Sequence, residues 1–201
     1  MSSATITCLK ITLDDVKPPV LRRVEVPFDI RLDRLHLVIQ AAMGWTNSHL
    51  YEIRAGDVGW STPYDDDPLP NDVLDARKAR LGSVIKHAET KKLIYLYDFG
   101  DGWEHSIRIE RLAEPVPGVT YPRLTEAVGR CPPEDIGGPW GYAEFLEAIT
   151  DPEHERHAEL TEWIAEDFDP NEVPAKWLAD EVADLAKSWS RPPRAKRARS
   201  A

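Results

Sequence analysis

The order of hydrophobic patterns along the chain is the sequence feature that most limits its fold. Segments in which apolar residues alternate with polar ones, as strands require, dominate up to residue 112. Segments with apolar residues at helical spacing dominate from residue 142 onward. A run of strands followed by a run of helices is typical of α+β proteins, whereas regular alternation indicates a parallel sheet. The sequence therefore predicts an α+β fold, with an antiparallel sheet from the N-terminal two-thirds packed with helices that are mostly C-terminal.

The individual elements follow from the same patterns. Strands are predicted at 5–13, 20–26, 49–55, 93–97 and 104–112, and helices at 32–43, 142–149, 153–166 and 174–189. The segment 62–72 is rich in Asp and Pro, which predicts an exposed loop. In 129–142, seven of fourteen residues are Gly or Pro, which predicts a rigid loop that is neither helix nor strand.

Length and composition exclude several classes of protein. The 201 residues suffice for one domain over 1–190, and the basic end 191–201 is predicted to be a disordered tail. No apolar stretch approaches the ~20 residues that a membrane span needs, and Lys10 interrupts the first apolar segment, so no signal peptide is predicted. The two cysteines, Cys8 and Cys131, form neither a disulfide scaffold nor a zinc motif. We therefore expect a cytoplasmic protein without membrane contact.

The net charge of −10 is unevenly distributed, which bears on partners. Residues 134–187 carry 16 acidic and three basic side chains, so this region repels nucleic-acid phosphates. The tail 191–201 carries five basic side chains and no acidic one. It is the predicted contact for nucleic acid, together with Arg22 and Arg23.

Polar side chains cluster around the turn between the predicted strands 93–97 and 104–112. The candidate catalytic residues are Asp98, Asp101, His105 and Glu134, and the candidate metal ligands are His49, Asp98, Asp101 and His105. Carboxylates and imidazoles together bind divalent metals, and a bound metal can activate water for hydrolysis. In the structural alternative, the two aspartates accept backbone hydrogen bonds that fix the turn, and His105 is a half-buried strand residue.

Aromatic residues beside turns suggest a binding surface. The candidate binding residues are Trp45, His49, Trp103, Glu104, Asp135 and Tyr142. Rings presented at Gly or Pro corners can stack on bases or bind peptides. In the alternative interpretation, a tryptophan next to a glycine covers the edge of a hydrophobic core.

Three motifs together resemble a known family. They are Gly44-Trp45 followed by His49-Leu50; Tyr97-Asp98-Phe99-Gly100-Asp101 with Trp103-Glu104-His105; and Pro132-Pro133-Glu134-Asp135 followed by Gly137-Gly138 and Gly141-Tyr142. The chain resembles the Ri-plasmid ORF-three-like family, also called the insertion-element passenger TnpR-like domain, from about residue 5 to about residue 178. The resemblance implies an α+β domain of bacteria and archaea, often encoded beside plasmid or transposon genes, whose activity is uncharacterised. One departure is Ile136, where the family commonly has a cysteine, which argues against a role for a thiol pair at this position.

Three functions are consistent with the sequence. The favoured one is a non-catalytic module that binds a protein or nucleic-acid partner. The alternative is a small metal-dependent hydrolase or nuclease that uses the Tyr97–His105 and Pro132–Asp135 motifs, with a divalent metal as its cofactor. The third is DNA binding through the tail 191–201. A serine recombinase is not supported, because no serine lies in a cluster of arginines.

Overall fold

Eight strands form a single sheet in the computed structural model of the chain, which describes residues 5–63, 68–164 and 168–190. The strands are β1 (Ile6–Leu13), β2 (Val20–Pro27), β3 (Tyr51–Ala55), β4 (Val58–Ser61), β5 (Val73–Asp75), β6 (Lys92–Tyr97), β7 (Trp103–Ala113) and β8 (Arg123–Val128). Their order across the sheet is β5-β4-β3-β6-β7-β1-β2-β8. Neighbouring strands are antiparallel, except for the parallel pair of β4 and β5. The predicted α+β fold is confirmed.

On one face of the sheet the side chains of the central strands are buried, and on the opposite face they are charged. In β1, Leu9, Ile11 and Leu13 are buried on one face, and their partners across the ladder are residues of β2 on the same face. On the opposite face Arg23 contacts Glu110 at 2.9 Å and also pairs with Glu126. Antiparallel sheets commonly divide in this way, with a core side and a solvated side.

Helices cover the buried face of the sheet and extend from its end. They are α1 (Leu32–Met43), α2 (Leu81–His87), α3 (Gly138–Thr150), α4 (His157–Ile164) and α5 (Ala175–Ser190), with a short 3-10 turn at Ala76–Lys78. Helix α5 packs against α1 and β8, and α3 packs against α4. Helix α1 ends at Gly44, whose φ of 86° is the left-handed conformation that glycine adopts most readily. No helix in the described ranges is long and apolar enough to cross a membrane.

Several elements and boundaries differ from the sequence predictions. The 3-10 turn at Ala76–Lys78 was not predicted, and α4 begins at His157 and not at residue 153. Strands β4, β5 and β8 and helix α2 were not predicted, since each is short or lacks a clear alternation. The prediction of an irregular segment over 129–142 is wrong at its end, because α3 begins at Gly138. Pro139 fits there because a proline in the first helical turn forfeits no helical hydrogen bond. The single domain over 1–190 stays a prediction, and the tail 191–201 lies outside the described residues.

Candidate functional site

Three loops meet at one end of the sheet, and they contain most of the residues that the sequence singles out. They comprise residues 44–50 after α1, residues 98–102 between β6 and β7, and residues 131–138 before α3. We call this meeting point the loop junction. Backbone and side-chain hydrogen bonds join each loop to another, so the three are held as one unit.

Glu134 ties the first loop to the third. Its Oε2 accepts hydrogen bonds from the backbone N–H of Thr46 at 2.9 Å and from the Thr46 hydroxyl at 2.6 Å. Its Oε1 accepts from the hydroxyls of Tyr97 at 2.6 Å and Ser48 at 3.3 Å. Both carboxylate oxygens are therefore occupied by donors from the protein itself.

The same network sets the ionisation of two groups. Burial by itself would raise the pKa of Glu134, but the hydrogen bonds that it accepts outweigh burial and hold the pKa below its ordinary value. Burial, and then the bond to Glu134, raise the pKa of Tyr97 to about 12. At neutral pH the pair is therefore a carboxylate and a neutral phenol, and the phenol also accepts from the backbone N–H of Ser48 at 3.0 Å.

Asp98 and Asp101 build the turn of the second loop and connect it to the third. Asp98 Oδ1 accepts from the backbone N–H groups of Gly100 at 2.9 Å and Asp101 at 3.3 Å. Asp101 Oδ2 accepts from the backbone N–H of Gly137 at 3.1 Å. Gly138 lies directly against the carbonyl of Asp101, where a side chain would not fit. Both aspartates thus act on the backbone, as the structural alternative describes.

His49 lies between two carboxylates on the surface of the loop junction. Its Nδ1 is 3.6 Å from Asp98 Oδ2, and its Nε2 is 3.2 Å from Asp135 Oδ1; the first distance is too long for a hydrogen bond, and Nε2 is buried without a hydrogen-bond partner. One potential ligand atom from each residue lies within 4.8 Å of the others. Asp135 was predicted as a binding residue and not as a metal ligand. Among the described residues, these three form the group with the spacing of a metal site.

Other predicted site residues lie in the core or on the far face of the sheet. His105 is fully buried, with Nδ1 3.2 Å from the carbonyl of Tyr95 and 3.1 Å from that of Trp103, and burial lowers its pKa to about 4. Trp103 and Tyr142 are also buried. Glu104 is exposed on the opposite face from its strand neighbours. The structure therefore does not bring His105 or Glu104 to the His49 cluster.

Trp45 connects the loop junction to the core. Its Nε1 donates to the carbonyl of Pro132 at 3.0 Å, and its ring packs on that of Tyr97, with centroids 5.0 Å apart. The ring is nearly buried, so it supports the loops and offers little contact surface.

Large apolar side chains are exposed around the loop junction. Trp140 is 89% exposed in the first turn of α3, and Phe99 is 53% exposed in the second loop. Leu50 is also exposed, and its carbonyl accepts from the N–H of Asp98 at 2.8 Å, which places it beside Phe99. Leu50 and Phe99 line one shallow cavity.

Sequence reasoning missed several residues that the site depends on. Thr46, Ser48 and Tyr97 hold Glu134, but hydroxyl groups in loops give no pattern that predicts a distant partner. Arg22 faces the core and not solvent. Its place between Val20 and Val24 in an alternating strand is a signal that could have revealed this.

Comparisons with known proteins identify the family of the chain. The family described as plasmid pRiA4b ORF-3-like protein matches residues 5–176. The chain belongs to this family. A relative, the uncharacterized protein y4hQ of Sinorhizobium fredii, is 55% identical over 194 residues, which are 96% of this chain and 98% of that protein.

A solved structure shares the fold of this ORF-3-like chain. The crystal structure of MM3350 from Methanosarcina mazei, a protein of unknown function, is 32% identical, with a TM-score of 0.78. The match covers 87% of this chain and 98% of that one. The three motifs that carry the family resemblance are the three loops of the loop junction.

Proposed function

We propose that this ORF-3-like chain is a non-catalytic protein-binding module whose partner docks on the loop junction. The observation that carries the proposal is the exposure of Trp140, Phe99 and Leu50 around loops that are fixed by internal hydrogen bonds. A rigid platform loses little conformational entropy on binding, and exposed aromatic side chains are the usual anchors of protein interfaces.

The polar groups of the loop junction support binding over catalysis. A general base or nucleophile needs a lone pair that is free to reach substrate. Both oxygens of Glu134 accept bonds from the protein, and Asp98 and Asp101 bond to backbone N–H groups. His105 is sealed in the core. The four candidate catalytic residues are thus engaged in holding the fold.

Charge favours a protein partner over a nucleic acid. The loop junction runs into α3, and residues 134–187 have a net charge of −13. A surface of this sign repels phosphate groups, whereas an apolar patch with an acidic rim suits a protein with a basic rim. The mobile-element association that the resemblance implies is consistent with such a role and stays a prediction.

The test is recovery of a partner by chains that differ only at the patch. Extracts of the native cell are passed over the full chain, a Phe99→Ser/Trp140→Ser variant and a Trp163→Ser control. Trp163 is a matched control because it is 45% exposed on α4, where its ring contacts Phe145. We expect a reproducible protein that the control retains and the double variant loses, and that binds again when purified. Equal recovery by all three chains contradicts the proposal.

A metal-dependent hydrolase or nuclease is the second candidate, because His49, Asp98 and Asp135 converge. The two nitrogens of one imidazole point in different directions, so one ion can bind only one of them, either Nε2 with Asp135 or Nδ1 with Asp98. Two direct ligands are fewer than the three that catalytic zinc sites take from the protein. Substrate or water would have to complete the coordination.

Metal content separates the two candidates. Untagged protein and a His49→Ala variant are equilibrated with Zn²⁺ or Mn²⁺, desalted and analysed by mass spectrometry. A near-stoichiometric ion that the variant loses supports the second candidate. Absence of metal from both proteins contradicts it and leaves the proposal of a binding module unaffected.

A further inference from the structure

Arg22 is a fully buried cation on the core side of β2. Its neighbours on the same face of the strand, Val20, Val24 and Val26, are also 0% exposed. A charged group in such a row has lost its hydration, which costs several kcal/mol unless partners replace the water. The partners of Arg22 therefore decide what this position does.

Two of the three guanidinium nitrogens donate to neutral backbone carbonyls. Nε donates to the carbonyl of Ala42 at 2.7 Å. Nη1 donates to the carbonyls of Leu21 and Val128 at 2.8 Å and of Gly129 at 3.0 Å. Nη2 is buried without a hydrogen-bond partner. No carboxylate of the described residues forms an ion pair with Arg22, so its charge is not neutralised by them.

Arg22 lines a cavity of about 370 Å³ behind the loop junction. The walls are the end of α1, the segment 130–134 and the start of α5, with Met43, Trp45, Phe168, Trp177 and Leu178 as the apolar lining. A cavity of this size falls in the range of small-molecule sites, which are mostly apolar with a few polar groups. Because Nε and Nη1 are taken up by carbonyls, Nη2 is the donor left for the cavity.

The other polar groups that line the cavity determine which charge a ligand can carry there. The thiol of Cys131 is neutral at pH 7, because burial raises its pKa to about 12, so it does not supply the missing negative charge. The guanidinium of Arg130 stacks over the ring of Phe168, 4.5 Å from its centre, and adds a second positive group. Glu134 is ionised on the same wall, and its charge disfavours a ligand with two negative charges.

We propose that this cavity binds a small organic monocarboxylate. Its carboxylate accepts the hydrogen bond of Arg22 Nη2, and its apolar body lies against Trp45 and Trp177. A charge-assisted hydrogen bond is stronger than a neutral one, and it removes the cost of the unpaired Nη2. The apolar side chains of the lining can contact the body of an organic ligand, which an inorganic anion lacks. This site is separate from the exposed patch of Phe99 and Trp140, so the two proposals fail independently.

The first arm of the test compares ligands on the full chain. Octanoate, octanol and inorganic phosphate are titrated by calorimetry, and the Tm is followed in parallel. We expect saturable binding of octanoate with a rise in Tm, and affinities at least about tenfold lower for octanol and phosphate. If octanol binds as tightly as octanoate, the cavity does not recognise a carboxylate, and that part of the proposal is wrong. If phosphate binds more tightly than octanoate, the cavity does not recognise an apolar body, and that part is wrong. Absence of binding by octanoate overturns the proposal.

The second arm compares variants. Arg22→Gln removes the charge, and we expect it to abolish the preference for octanoate over octanol. Since that variant can fail to fold, Trp177→Ala tests the same cavity from its rim, where the side chain is 48% exposed. We expect Trp177→Ala to lower the affinity for octanoate at least about fivefold. Trp163→Ala, of similar exposure on α4, should leave this affinity unchanged. Equal affinities in both tryptophan variants contradict the location.

Discussion

The carboxylate of Glu134 holds two loops together by hydrogen bonds, where no helix or strand in the described part of the chain joins them. It lies in a loop, yet it accepts four hydrogen bonds from residues that are 37 to 88 positions away in sequence. The donors are hydroxyl and backbone N–H groups, so the carboxylate keeps its full charge. Its function in the fold is to align the first and third loops of the loop junction.

Replacing Glu134 with Gln should destabilise the protein by about 2 kcal/mol. The amide has one acceptor oxygen where the carboxylate has two, so its NH₂ group would face either the Thr46 donors or the hydroxyls of Tyr97 and Ser48. Urea denaturation measures the change. Glu155→Gln, at an exposed position, is the control and should change stability by less than about 0.5 kcal/mol. Equal effects of the two substitutions would show that the network contributes nothing.

Two buried histidines should make the protein less stable in mild acid. Burial lowers the pKa of His36 and of His105 to about 4, from an ordinary value of 6.5. The unfolded chain therefore takes up protons at a higher pH than the folded one. The free energy of unfolding falls as the pH drops from 6.5 to 4, by about 3 kcal/mol for each histidine, and this contribution stops changing below pH 4.

Denaturation of a His36→Gln variant between these pH values measures the contribution of one histidine. The variant should lose part of the pH dependence, whatever its stability at pH 7. His87→Gln is the control, since His87 is exposed on α2 and should leave the pH dependence unchanged. A His36→Gln variant with the full wild-type slope would contradict the assignment.

Among the secondary-structure elements, the start of α3 packs closely against the turn between β6 and β7. Gly138 has a φ of 69° and lies against the backbone of Asp101, while Gly141 lies against the carbonyl of Ile136. These contacts leave no room for a Cβ atom. They explain how a segment rich in Gly and Pro can begin a helix.

Gly138→Ala should therefore destabilise the protein by more than about 3 kcal/mol. The new methyl group would collide with the carbonyl oxygen of Asp101, and the positive φ adds strain. Gly118→Ala separates the two causes, because Gly118 also has a positive φ of 80° but has open space around it. We expect Gly118→Ala to lower the free energy of unfolding by about 1 kcal/mol. Chemical denaturation gives both values, and similar losses in the two variants would refute the steric explanation.

Local patterns predicted the elements that are long and half-buried, and missed those that are short or exposed. The ladder of β6 and β7 was predicted because β6 is a short continuous apolar run and β7 alternates over most of its eleven residues. Strands β4 and β5, with four and three residues, are too short to show a period. Strand β8 at the sheet edge is mostly exposed, so it has no apolar face to recognise.

The candidate site was predictable only where its contacts are local. The turn role of Asp98 followed from Gly and Asp in one short segment, whereas the bond from Gly137 to Asp101 joins two loops and was not predicted. The approach of His49 to Asp135 and the bonds of Glu134 depend on how three loops fold together, which no local pattern contains. The unpartnered nitrogen of Arg22 likewise depends on the packing of α1 and β8 around it.

The net charge of the whole molecule determines how strongly it binds polyanions such as DNA. The net charge is −10, and without the tail 191–201 it would be −15. At physiological ionic strength the five basic charges of the tail act only over about 8 Å. The net negative charge of the rest of the chain is limited to the same distance, and it opposes close approach to DNA.

The full chain should therefore not retain double-stranded DNA at physiological salt. Any retention in dilute buffer should disappear when residues 191–201 are removed, and it should fall steeply with added salt. A gel-shift titration over several salt concentrations measures this, with a tail in which the five basic residues are replaced by Gln as the control for length. Retention at physiological salt that survives removal of the tail would contradict the prediction.

The place of β1 in the sheet has a consequence for synthesis of the chain. This first strand pairs on one side with β2, which follows at once, and on the other with β7, about a hundred residues later. At about 5–20 residues per second, a ribosome needs roughly 5–20 s to deliver β7. During that interval the β1–β2 hairpin leaves the apolar face of the nascent chain open and one edge unpaired. The growing chain is thus exposed to aggregation until β1 is paired on both sides.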